Sequence, residues 1–118
     1  MRNIHIDLSD DKFAPKVFAG YAGEHNETKI IIKLLPRMLT DDITKYQFAF
    51  KNSDNKLQLD NVVDISDINN GNVSTMLTES QTVGEYLMLS VAAIVEINGS
   101  MIRKAKTPNI FLKVRDSV

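Results

Sequence analysis

The chain has 118 residues, 43% hydrophobic and 25% charged, which suits one folded core and excludes collagen-like, low-complexity and disordered classes. Fourteen basic and fifteen acidic residues leave a formal net charge of -1, so no overall field draws in a polyanion and no nucleic-acid partner is expected. The absence of cysteine removes disulfides, thiolate metal sites and cysteine nucleophiles, and no window reaches the roughly 18 consecutive apolar residues of a bilayer-spanning helix.

A single domain over residues 1–118 is expected, with no membrane partner. The opening "MRNIHIDLSDD" has no continuous apolar stretch of the secretory type, which predicts a chain that stays in the cytoplasm or enters a particle assembled there. Within it Ile4, Ile6 and Leu8 alternate with His5 and Asp7, the pattern of a short half-buried strand.

Next comes "AGYAGEHNETKIIIKLLP", where Gly20 and Gly23 flank Tyr21 and the polar run from Glu24 to Glu27 meets an apolar segment. Ile30, Ile32 and Leu34 share one face of a strand that Pro36 ends, since proline cannot donate to a ladder. In "ITKYQFAFKN" an aromatic face of Tyr46, Phe48 and Phe50 alternates with Lys45, Gln47, Ala49 and Lys51. "KLQLDNVVDI" reads as its hairpin partner across the turn residues Asn52 to Asn55, and Asn70-Gly71 reads as a second, type I′ turn.

The strongest local signal is "EYLMLSVAAIVEINGSMIRKAKTP". Leu87, Leu89, Val91, Ala93, Val95 and Ile97 share one face, the chain turns at Asn98-Gly99, and it returns through Met101 to Arg103. Met88, Ala92 and Ile94 make the second face apolar as well, as at a central strand or an interface. After Pro108 a last strand places Ile110, Leu112 and Val114 opposite Phe111, Lys113 and Arg115. Helix is confined to single turns near "LPRML" and "STMLTES", so the expected fold is all-β, a sandwich of about seven to nine strands.

Chemical motifs are sparse. Glu24, His25 and Glu27 place carboxylates beside an imidazole, but no serine elbow or second orienting group accompanies them, and a solvated loop before a strand is the preferred reading. A metal site from His5, Asp7, Glu24 and His25 would need the N-terminal strand beside that loop. Asp60, Asp64 and Asp67, with Asn61 and Asn69, lack the spacing of a calcium loop. The basic set Arg103, Lys104, Lys106, Lys113 and Arg115, near Phe111, reads as a solvated strand face rather than a nucleic-acid platform. No catalytic residue, cofactor or metal is assigned. The competing reading is a carbohydrate- or ligand-binding sandwich using Tyr21 and Phe111; an enzyme built on His5 or His25 comes third.

The order of "FAGYAGEHNETKIIIKLLP", the aromatic strand and "TVGEYLMLSVAAIVEINGSMIRKAKTPNIFLKVRDSV" resembles small structural proteins of tailed bacteriophages and prophages, including the immunoglobulin-like N-terminal domain of phage upper baseplate proteins. The match rests on a structural corner of Gly23, Glu24, Asn26 and Thr28, the hairpin turn Asn98-Gly99 and the closing Leu112-Lys113-Val114; the Asn69-Asn70-Gly71 loop has no counterpart. The resemblance implies an immunoglobulin-like antiparallel β-sandwich, a non-enzymatic assembly role in a phage tail or baseplate, and location in the virion. It also implies association with other tail or baseplate proteins and with copies of itself, for which Met88, Ala92, Ile94 and Phe111 are the candidate interface.

Overall fold

The chain folds into two packed sheets, and burial alternates along segments such as Arg2–Asp7 and Thr28–Lys33. The computed structural model describes residues 2–8, 17–52, 57–58, 61–82 and 85–115. Among these lie nine strands: β1 (Arg2–Asp7), β2 (Val17–Tyr21), β3 (Thr28–Lys33), β4 (Ile43–Asn52), β5 (Leu57–Gln58), β6 (Asn72–Met76), β7 (Tyr86–Ile97), β8 (Ser100–Lys106) and β9 (Ile110–Arg115). The smaller sheet has the order β1-β3-β6; the larger runs β2-β9-β7-β4-β5, with β8 also paired to β7. The expected all-β sandwich is present.

The period-two faces meet between the sheets. Ile4, Ile6, Ile30, Ile32 and Val73 point inward from the smaller sheet, against Phe48, Phe50, Leu87, Leu89, Val91, Ile110 and Leu112 of the larger. Phe48 and Phe50 stack, with ring centroids 5.8 Å apart and planes 9° from parallel. Met38, on a 3-10 turn at Pro36–Met38, closes one end of this core, where its carbonyl accepts the Tyr46 hydroxyl at 2.6 Å.

Strand β7 is the spine of the larger sheet. One edge pairs with β4 from Leu87 to Val95; the other pairs first with β9, through Tyr86–Leu89, and then with β8, through Ala92–Ile97. Between β8 and β9 the ladder is interrupted at Thr107, whose N–H donates to the Val91 carbonyl while its Oγ1 accepts from the Val91 N–H, both at 2.9 Å. The threonine hydroxyl thus replaces a ladder partner just before Pro108, which has no N–H.

Three sequence expectations change. Pairing is not wholly antiparallel, because β1 lies parallel to β3 and β2 parallel to β9. Alternation specifies which face of a strand is buried but not its direction, so inward-facing Ile4 and Ile6 satisfy either pairing. The predicted partner of β4 shrinks to Leu57–Gln58, opposite Lys51 and Phe50, with a separate bridge from Asp64 to Ser74. Leu59 and residues 53–56 lie outside the described residues. Asn61 leaves the ladder because its amide binds Thr75, Met76 and Gln81 instead.

The expected type I′ turn at Asn70-Gly71 is a 3-10 turn, Ile68–Asn70, ended by Gly71 at φ 83°. Asp67 sets this geometry by accepting from the side-chain amides of Asn70 and Asn72, each at 2.6 Å. The hairpin turn between β7 and β8 does take the left-handed pair, with Asn98 at φ 53° and Gly99 at φ 81°.

Candidate functional site

The corner between β2 and β3 is densely hydrogen-bonded. Gly23 (φ 84°) and Asn26 (φ 56°) occupy left-handed conformations that bend the backbone. Their N–H groups donate to Thr82 O at 2.8 Å and Leu77 O at 3.0 Å, which ties the corner to the segment after β6. The Glu24 carboxylate accepts from the Tyr21 N–H, and the Thr82 hydroxyl donates to the Glu24 carbonyl at 2.9 Å. Buried Thr28 donates to Ala19 O at 2.8 Å and accepts from Arg2 Nη1 at 2.8 Å.

Arg2 completes the corner and was not singled out from sequence. Its guanidinium lies 3.3 Å from Glu24 Oε1 and stacks 4.8 Å above the Phe18 ring. The available signal was its parity, since Arg2 shares the inward face of Ile4 and Ile6, where a charge requires a partner. His25 belongs to the same corner, with its Nδ1 accepting from Glu79 N–H at 3.3 Å. These contacts use the acid and imidazole groups of the run to hold backbone.

His5 stands apart on the outward side of β1, opposite Ile31 and beside Asp7 and Lys33. Among the described residues no three His, Asp or Glu side chains gather around a common point suited to a metal ion. Asp64 accepts from Ser66 N–H at 2.8 Å, and that bond, assisted by the Ser66 hydroxyl and Lys29, holds its carboxyl below the ordinary value. Asp67 is held low by the Asn72 and Asn70 amides. Asp60 lies outside the described residues. A groove of about 500 Å³ beside Asp64, lined also by Lys29, Asn61, Ser74 and Met76, joins the β6 edge to this loop.

A reciprocal amide pair braces the neighbouring turn. Gln81, buried, donates to Asn61 Oδ1 and accepts from Asn61 Nδ2 at 3.1 Å and from Thr78 N–H at 2.9 Å. Nothing local in the sequence marks this pair, because its members are 20 residues apart.

Elsewhere, Lys104 Nζ reaches Asp42 at 2.8 Å and Thr40 Oγ1 at 2.7 Å. The Lys104 bond is the main reason the Asp42 carboxyl titrates below its ordinary 3.8. A depressed carboxylate contributes its tether fully above the ordinary value and loses it as pH falls through the lowered one. In an NMR titration Lys104→Met should return the Asp42 midpoint toward 3.8; a midpoint that stays depressed would assign the effect to Thr40 instead.

The candidate interface residues Met88, Ala92, Ile94 and Phe111 all project from the outward face of the larger sheet, as their register with Lys51, Gln47, Lys45 and one another requires. They differ in access. Ala92 and Ile94 are only 6% and 8% exposed, between the long side chains of Gln47 and Lys106 and of Lys45 and Arg103 in the adjacent strands. Met88 is half-buried, while Phe111 is 45% exposed and packs beside Tyr86, 44% exposed, with ring centroids 6.5 Å apart. Leu57, opposite Lys51 on the same face, extends the apolar row across the sheet. Tyr86 and Leu57 are therefore members of this surface that the sequence reading did not include.

No protein-family model and no curated protein sequence matches the chain. A solved structure does: the N-terminal domain of phage TP901-1 ORF48, at TM-score 0.66 over 98% of both chains, with 11% sequence identity. The chain shares the fold of that phage domain. The resemblance to phage domains read from the corner, the hairpin and the closing strand therefore holds at the level of the fold. At 11% identity the similarity is one of fold.

Proposed function

We propose that this protein is a non-enzymatic structural component of a phage or prophage tail or baseplate, acting by association with neighbouring tail proteins and with copies of itself in the virion. The observation that carries this reading is the common fold with a phage domain along 98% of both chains. The corner supports it, because Gly23, Glu24, Asn26 and Thr28 spend their polar groups on architecture. The docking surface is the outward row of Phe111, Tyr86, Met88 and Leu57, an apolar strip bordered by Lys51, Lys106 and Lys113.

The test is binding of the purified protein to each tail protein encoded beside it, together with light scattering of the protein alone. At least one specific association is expected, and Phe111→Ala should weaken it at least about tenfold, mainly by faster dissociation. A strictly monomeric protein that binds none of those proteins would overturn the proposal. The exposed Tyr86–Phe111 pair also suits stacking on a sugar ring, the second reading. Thermal stabilisation in a glycan screen, lost in Phe111→Ala, would favour that reading over assembly.

A further inference from the structure

The strand registers collect positive charge on one side of the molecule. Lys45 and Lys51 of β4, Arg103 and Lys106 of β8 and Lys113 of β9 all share the outward face of the larger sheet with Met88 and Ile94. Among the described residues of these strands, Glu96 is the one carboxylate on that face, paired across the ladder with Met101. The whole chain has a formal net charge of -1, so the remaining surface is net acidic. Composition alone hides this separation, because the two signs nearly cancel.

Position matters as much as number. The apolar row of Leu57, Met88 and Phe111 crosses the sheet, with Lys51 within it and Lys113 and Lys106 to either side. Arg103 and Lys45 border buried Ile94 farther along. An apolar centre with a charged border is the anatomy of a protein interface. A nucleic-acid channel instead strings its cations along one backbone track with aromatic platforms between them.

We infer that this face docks an acidic protein surface, one presenting carboxylates around an apolar centre, and that Lys45, Arg103 and Lys106 steer its approach. This deepens the assembly reading and rests on it: Phe111, Met88 and Tyr86 hold the partner, and the cations set how fast it arrives and in which orientation. A second copy docked by the same face is disfavoured, since a two-fold contact would bring these cations against their equivalents.

The experiment measures association and dissociation rates for the tail proteins encoded beside this one, each purified, against three forms of the protein. These are the wild type, a reversal variant (Lys45→Glu, Arg103→Glu, Lys106→Glu) and a neutral variant with glutamine at the same positions, which guards against misfolding of the first. The association rate should fall about tenfold in the neutral variant and further in the reversal, with dissociation little changed. The wild-type rate should also drop at least about tenfold between about 50 and about 300 mM NaCl.

If a tail protein binds but its association rate moves less than about twofold in both variants, the acidic-partner inference fails while the assembly reading stands. Should no tail protein bind, the inference fails, and if the protein is also strictly monomeric the assembly reading fails with it. An oligothymidylate of about 20 nucleotides serves as the nucleic-acid probe; binding that depends on the same cations, without a tail-protein partner, would overturn the assignment to protein. Self-association abolished by the reversal would likewise overturn it in favour of a second copy.

Discussion

Gly20→Ala should destabilise the protein by about 2–4 kcal/mol, combining backbone strain with disruption of a part-buried polar contact. Gly20 sits in β2 at φ 125°, a conformation that side chains rarely tolerate. A Cβ there would lie 2.7 Å from Arg2 Nη1, 2.9 Å from Glu24 Oε1 and 3.1 Å from Thr28 Oγ1. The added methyl group therefore crowds three of the polar groups that fasten the corner. Gly99→Ala is the control, since Gly99 also has positive φ but a Cβ there meets nothing within 4 Å, and about 1–2 kcal/mol is expected. Urea unfolding of both variants separates crowding from backbone strain, and equal shifts would show that the corner yields at little cost.

Phe48→Ala should cost about 3–5 kcal/mol, the range for removing a fully buried aromatic ring. Phe48 pairs with Val91 on β7 and stacks on Phe50, so truncation opens a void where the sheets meet. Against a typical domain stability of about 5–15 kcal/mol, that leaves a variant near its threshold. Phe111→Ala on the outward face should change stability by less than about 1 kcal/mol. If the two alanine variants unfold at similar denaturant concentrations, the inward and outward assignment of these faces is wrong.

The faces were legible in the sequence because burial in a strand repeats every second residue. Ile30, Ile32, Phe48, Phe50, Leu87 and Leu112 are where alternation puts them, and Asn98-Gly99 supplies the left-handed turn that its residue types announce. What stayed hidden depends on partners far away in the chain. Gly20 breaks the alternation of "VFAGY", so β2 has no local signature, and its parallel pairing with β9 is a tertiary fact. Arg2 and Thr28 acquire their roles only when β1 settles beside β3. At the candidate interface, residue type and alternation put Met88, Ala92, Ile94 and Phe111 on one outward face, but the long neighbours of Ala92 and Ile94 determine that Phe111 and Tyr86 are the accessible members.

The parallel pairing of β2 with β9 also constrains how the molecule is made. Val17 aligns with Leu112 and Tyr21 with Arg115, so a segment synthesised early has its ladder completed by one that leaves the ribosome much later. Until then β2 has no ladder partner among the described strands, and the corner that follows it lacks the anchor of a paired preceding strand. Such distant pairing slows folding and lengthens the exposure of sticky edges during synthesis. Closure of the sandwich is thus a late event, and any chaperone requirement of this protein should fall in the interval before β9 emerges.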